Sequence, residues 1–223
     1  MKSKMSRTAC TVLAVCALAG ALSACAPIVI GGAAVGTMMA ADRRTTGSQV
    51  EDEGIELRAA NRIREQLGER AHINVTSYNR QVLLTGEAAT AADQQRAEQI
   101  VLGVENVRSV VNDVAVMPNT SLTQRSNDTF ITGKVRASFV DAKDLYASAF
   151  KVVTEREVVY LMGRVSQREA TRATDIARGV NGVRKVVRVF EIVSDDDLRR
   201  GTVQQQQLAP VTQDPAAATA PRN

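Results

Sequence analysis

The chain has 223 residues, with 28 Lys and Arg against 24 Asp and Glu, one His, three Cys and no Trp. That length allows one or two small domains. Three of the basic residues and none of the acidic ones lie in the first 24 positions, so the remainder balances 25 basic against 24 acidic groups. Its net charge of +1 gives no argument for binding nucleic acid.

The N-terminus opens with a basic region (Lys2, Lys4, Arg7) and an apolar run from Ala9 to Leu22, too short to span a bilayer and the right length for a signal-peptide core. It ends in Leu22-Ser23-Ala24-Cys25, which fits the lipobox order of an aliphatic residue, two small residues and a cysteine. We expect residues 1–24 to be a signal peptide that is removed, and Cys25 to become the lipidated N-terminus. Two or three acyl chains bury enough CH2 groups for stable membrane anchoring. Ala26 stands where Asp commonly retains lipoproteins in the inner membrane, so the expected site is the outer membrane, with the folded part facing the periplasm. Cys10 and Cys16 leave with the signal, and no intrachain disulfide or thiolate metal site remains.

Residues 25–50, rich in Gly, Ala and Val before Asp42-Arg43-Arg44, read as anchor and flexible tether. Their glycines follow no strand and precede no Lys-Ser/Thr, so a phosphate loop is not supported. The rest of the chain contains an internal repeat. Ile73–Gly86 aligns without a gap to Phe150–Gly163 at an offset of 77, and Gly103–Val111 to Gly179–Val187 at an offset of 76. Each hairpin reads as strand, tight turn (Tyr78-Asn79-Arg80, Glu155-Arg156-Glu157) and strand ending in glycine. Helical stretches follow at 90–102 and 166–178, and others precede the hairpins at 53–67 and 127–140. Gly103 and Gly179 stand where a helix C-terminus favours a left-handed residue, and each Val-rich run after them reads as a third strand.

The expected fold is therefore α+β: two tandem units of order αββαβ, each a small three-stranded mixed sheet packed by two helices. The expected bounds are 51–117 for the first domain, 118–126 for a linker, 127–193 for the second domain and 194–223 for a disordered tail.

These residues resemble a known family. The lipobox, AAVGT…DRRTTGSQVEDEGIELR, the hairpin ends VLLTGEA and VYLMGRVSQREA, the GV-x-x-V-x-x-V strands and SNDTFITGKVR together are similar to the dual BON-domain outer-membrane lipoproteins of the DolP type (YraP-like). The resemblance covers Cys25 to about Val193. It implies a non-enzymatic protein that binds anionic phospholipid, supports outer-membrane integrity and gathers at division sites, with the lipid-contacting surface mainly on the first helix of the second domain. The family commonly has Trp in the Ser-Asn-Asp-Thr-aromatic motif, where Phe130 stands here. Phe lacks the indole N–H that suits the bilayer interface.

Periodicity alone divides that helix in two. At about 100° per residue, Ile131, Val135 and Phe139 form a core stripe. Phe130, Gly133, Ala137 and Val140 fall on another side, flanked by Lys134 and Arg136. In the first-domain helix, Ile55, Ala59, Ala60, Ile63 and Leu67 form the core stripe, while Glu56, Arg58, Arg62 and Glu65 cover the rest. The six residues Phe130, Gly133, Lys134, Arg136, Ala137 and Val140 are thus candidates for phospholipid contact; packing of Phe130 against the other domain is the competing reading. Asn127 or Asp128 would cap the helix. Residues 51–117 hold 7 basic and 11 acidic groups (net −4), and residues 127–193 hold 12 and 8 (net +4). This favours phosphatidylglycerol or cardiolipin headgroups for the second domain, although mutual attraction of the domains uses the same numbers. Arg164, Arg168 and Arg172 read as a solvated face.

Catalysis, metal binding and cofactors find no motif. His72 has no nucleophile beside it, and Glu51, Asp52 and Glu53 read as acids at a helix start. Two non-catalytic alternatives stand beside lipid binding: a scaffold in contact with the outer-membrane assembly machinery, and a periplasmic stress chaperone.

Overall fold

A computed structural model describes residues 42–200. The signal peptide, Cys25 and residues 201–223 lie outside this range. The first half runs α1 (Thr46–Leu67), a 3-10 turn (Gly68–Arg70), β1 (Ala71–Tyr78), β2 (Gln81–Ala88), α2 (Ala91–Leu102), β3 (Ser109–Asn112) and β4 (Ala115–Val116). The second half runs α3 (Leu122–Asp141), a 3-10 turn (Ala147–Ala149), β5 (Phe150–Glu155), β6 (Val158–Val165), α4 (Gln167–Arg178) and β7 (Lys185–Ile192).

Within each half an antiparallel hairpin is joined by a parallel third strand. In the first, Ala71 pairs with Ala88 and Tyr78 with Gln81, and β3 then runs parallel to β2 from Gln81↔Ser109 to Leu84↔Asn112. The two-residue β4 resumes that pairing at Glu87↔Ala115, one strand more than the expected three. In the second, β5 pairs antiparallel with β6, and β7 parallel with β6 from Val158↔Lys185 to Val165↔Ile192. A parallel neighbour requires a crossover, which α2 and α4 supply.

The helices begin where a hydroxyl can accept an orphan backbone N–H. The caps are Thr45, Thr90, Ser121 and Ser166, and Glu169 completes a capping box at the last. Thr45 and Ser121 start α1 and α3 several residues before the 53 and 127 expected from periodicity, because the added first turns carry no core residue to mark them. Glu51, Asp52 and Glu53 therefore sit beyond the first turn of α1, and neither Asn127 nor Asp128 caps α3. Residues 195–200 are helical, with the Ser194 hydroxyl accepting from the Asp197 N–H, where disorder was expected from residue 194. Gly103 and Gly179 have φ of −83° and −76°, not the left-handed geometry expected. The chain reverses three residues later instead, at Asn106 (φ 67°) and Gly182 (φ 100°).

The core stripes pack as the periodicity predicts except for Ala60, which is half-buried and outside the core. Ile55, Ala59, Ile63 and Leu67 meet Val82, Leu84, Ala97, Ile100 and Val101 in one core. Ile131, Val135 and Phe139 meet Phe150, Val159, Leu161, Ala170 and Ala173 in the other. A third cluster joins the opposite faces of the two sheets through Tyr78, Leu83, Val158, Tyr160, Met162 and Val189. Both central strands are thus buried on both faces, which is why β2 and β6 read as near-continuous apolar runs (VLL, VVYLM) rather than alternating ones.

Each hairpin turn places two non-glycine residues in the left-handed region: Asn79 (φ 50°) with Arg80 (67°), and Arg156 (50°) with Glu157 (63°). Such turns match the twist of the strands, at a cost of about 1–2 kcal/mol for an ordinary L-residue. A helix carboxylate offsets it in each domain. Asp52 accepts from Asn79 N and Arg80 N at 2.8 Å each. Asp128 accepts from Arg156 N and Glu157 N at 2.8 Å each. That is what these two buried aspartates do, in place of the capping and helix-dipole roles expected of them. At the hairpin ends glycine is required by close approach: a Cβ on Gly86 would lie 2.1 Å from the His72 carbonyl oxygen, and one on Gly163 2.5 Å from that of Ala149.

Candidate functional site

The outer face of α3 is open. Phe130 is 66% exposed and Val140 72%, and Gly133 and Ala137 between them are exposed as well. A Cβ built on Gly133 meets nothing within 4 Å. Packing of Phe130 against the other domain is therefore not what the fold does; Tyr78, Leu83, Tyr160 and Met162 fill that seam instead. The Lys134 ammonium lies 4.8 Å from the centre of the Phe130 ring, a cation–π distance, and also donates to the Asn181 carbonyl. Arg136 is not part of the strip: its guanidinium turns toward β5 and donates to the Val152 carbonyl at 3.3 Å. Five of the six candidate residues are thus brought together.

The sequence reading missed two neighbours of this strip. Leu122, 78% exposed on the first turn of α3, lay outside the helix as read from residue 127; Ser121 as a cap was the available signal. An open groove of about 520 Å³ flanks the strip, lined by Lys134, Ala137, Ser138 and Asp141 of α3, by Asp175 and Ile176 of α4 and by Gly179–Asn181 after it. No sequence pattern pairs those two segments.

The charge asymmetry is partly used between the domains. Lys151 donates to Glu56 at 2.7 Å and Arg156 to Glu87 at 3.0 Å, while Arg108 of the first domain reaches Glu191 at 3.4 Å. Uncharged donors add to these: Asn74 donates to Glu155, Asn79 to Glu191 and Tyr160 to Asp113. Burial, foremost, with Glu87 nearby, raises the Glu155 carboxyl above its ordinary pKa. Burial also pushes the Tyr78 phenol up to about 12. His72 lies in β1, its Nδ1 3.7 Å from Glu87 Oε2. Of the three arginines read as a solvated face, Arg172 pairs with Asp144 at 2.8 Å and Arg164 lies 3.6 Å from Glu191.

A second unforeseen feature is the Asp42-Arg43-Arg44 segment. Arg43 makes two bonds to Glu169 (2.7 and 2.8 Å) and one to the Arg164 carbonyl, all in the second domain. Arg44 binds Asp42 and Asp52 at 2.9 Å and lies 4.3 Å over the Tyr78 ring, in the first. Burial alone would raise the Glu169 carboxyl, but Arg43 and the Ser166 N–H outweigh it and hold it below the usual carboxylate range. Two adjacent tether residues therefore grip different domains. Among the described residues no acidic, His or Cys cluster could hold a metal ion, and no helix is long and apolar enough to cross a membrane.

Two small αββαβ units fused back to back define a class of tandem-domain α+β proteins. The BON domain matches residues 55–118 and 127–194. The chain is 38% identical over 173 residues to "Outer membrane lipoprotein DolP" of Haemophilus influenzae, covering 76% of this chain and 89% of that protein. It is 36% identical to "21 kDa hemolysin" of Actinobacillus pleuropneumoniae, covering 68% and 79%. Against "Osmotically-inducible protein Y" of Escherichia coli the figures are 34%, 51% and 58%. The chain belongs to the BON-domain family, in its DolP-type branch of two-domain outer-membrane lipoproteins.

Proposed function

We propose that this protein binds anionic phospholipid through the outer face of α3, adding a second bilayer contact to the lipid on Cys25, and so supports outer-membrane integrity, including at division sites, without catalysing a reaction. The observation that carries the reading is the exposed strip of Phe130, Gly133, Ala137 and Val140 with Lys134 over the aromatic ring. Such a face gains by burying apolar area at the headgroup boundary, and a cation beside it gains from an anionic surface. The equivalent helix of the first domain has no aromatic residue, and its domain is net negative. Phosphatidylglycerol and cardiolipin are the expected ligands.

The test uses residues 25–223 with Cys25→Ser, so that acyl chains do not contribute, and vesicles of phosphatidylcholine with or without phosphatidylglycerol. Parent protein is expected to bind only the anionic vesicles, and Phe130→Glu to lose that binding while keeping its circular dichroism and unfolding midpoint. Equal binding by the variant overturns the reading.

A second reading, a scaffold that touches the outer-membrane assembly machinery, is favoured by Val50 and Leu57, each 65% exposed on α1. Loss of cross-linked partners from Val50→Glu/Leu57→Glu, with lipid binding intact, would support it. Suppression of client aggregation by the parent protein would support a chaperone role instead.

A further inference from the structure

The loop after α4 carries a second feature that the apolar strip does not account for. Arg178, Val183, Arg184, Lys185 and Val186 line a groove of about 400 Å³. All three cations are exposed. Arg178 approaches Asp175 only at 3.9 Å. Arg184 donates to the Arg156 carbonyl, and neither Arg184 nor Lys185 forms an ion pair among the described residues.

The internal repeat supplies a control within the chain. At the offset of 76 that aligns Gly103 with Gly179, Arg178 corresponds to Leu102, Arg184 to Arg108 and Lys185 to Ser109. In the first domain the single cation, Arg108, is occupied by Glu191. Two of the three cations are therefore particular to the domain that also carries the exposed phenylalanine, and backbone geometry common to both copies does not require them. The loop that leads into the groove packs against α3, the helix that carries the strip. Lys134 of α3 holds the Asn181 carbonyl, and a Cβ on Gly182 would lie 3.1 Å from the Ile131 side chain.

We propose that Arg178, Arg184 and Lys185 form a headgroup site that takes the phosphate of an anionic phospholipid while α3 rests in the bilayer surface. This deepens the reading of α3 as the membrane face and rests on it. Guanidinium groups suit phosphate by offering paired donors, and clustered cations gain from an anionic leaflet. The strip would set depth, and the groove would select charge.

The test compares the Cys25→Ser protein from residue 25, Phe130→Glu, and Arg178→Gln/Lys185→Gln in that background. Both residues of the last pair are exposed, and circular dichroism and the unfolding midpoint check that the pair folds. Binding is titrated on phosphatidylglycerol-containing vesicles at several salt concentrations, with pyrophosphate as a lipid-free phosphate probe followed by amide shifts. The glutamine pair is expected to weaken vesicle binding by about tenfold or more, to flatten its salt dependence, and to bind again when Arg178→Lys replaces Arg178→Gln. If the glutamine pair binds like the parent while Phe130→Glu fails, this site is wrong and the strip stands. Failure of the parent itself to bind removes both. Shifts of Arg184 and Lys185 with pyrophosphate, with vesicle binding unaffected by the glutamine pair, assign the groove to free phosphate and overturn the lipid source.

Discussion

Arg156→Met tests the polar half of the seam between the domains. In the native protein Arg156 Nη1 donates to Glu87 Oε1 at 3.0 Å and to the Gly86 carbonyl at 2.9 Å. The Glu87 side chain is fully buried, and Glu155 lies close enough to be felt by it. Methionine keeps the length and apolar stem but leaves a buried carboxylate without its cation. Breaking one side of such a pair costs about 3–5 kcal/mol, about a fifth or more of the stability usual for a protein domain. With a urea dependence of about 2 kcal/mol per M, the midpoint should fall by about 1.5–2.5 M. Adding Glu87→Gln removes the stranded charge and should recover more than half of the loss. A shift below about 0.5 M, or no recovery in the double variant, refutes the argument that the seam depends on charge neutralisation.

Asp128→Ala should cost about 2–4 kcal/mol, because two charge-assisted bonds to a left-handed turn are lost; thermal unfolding reads it, and Asp52→Ala should behave alike. Glu155 has a raised folded-state pKa, so the native state holds its proton more tightly than the unfolded chain does. Its penalty is absent at low pH and sets in as pH rises through the window above the ordinary carboxylate range. Glu155→Gln should thus be at least as stable as the parent at pH 7, with an advantage that vanishes on acidification to about pH 4; a constant difference across urea titrations from pH 4 to 8 would contradict this. Gly133→Ala meets no atom and should stabilise α3 by about 0.5–1 kcal/mol, measured as a raised unfolding midpoint. Arg43→Ala should cost about 1–2 kcal/mol and, more specifically, accelerate amide exchange around residues 42–46.

The repeat, the hairpins and both core stripes were legible because each depends on short-range periodicity, and the two central strands advertised two-sided burial as unbroken apolar runs. The starts of α2 and α4 were legible as well, at Thr90 and Ser166; those of α1 and α3 were not, since Thr45 and Ser121 cap turns that contribute nothing to the core. Asp52 and Asp128 were misread for a related reason. An acid near a helix start has a standard local explanation, whereas their true partners are amides 27 to 29 positions away, on a turn whose need for them shows only in φ. Of the candidate strip, Phe130, Gly133, Ala137 and Val140 follow from the wheel alone. Arg136 does not, because a long side chain can leave its own face to reach a neighbouring strand.

The grip of Arg43 and Arg44 on different domains bears on how strong the α3 contact needs to be. Sixteen residues separate Cys25 from Asp42, and they reach at most about 60 Å. In a lipidated molecule that span would hold Asp42, and the folded body with it, near the bilayer at an effective concentration on the order of millimolar. A modest solution affinity, of the kind the unlipidated protein is expected to show, would then keep the face seated for much of the time. On the proposed reading a phenylalanine in place of a tryptophan would then be enough, and the strip could leave one patch of lipid and settle on another without the protein departing the membrane.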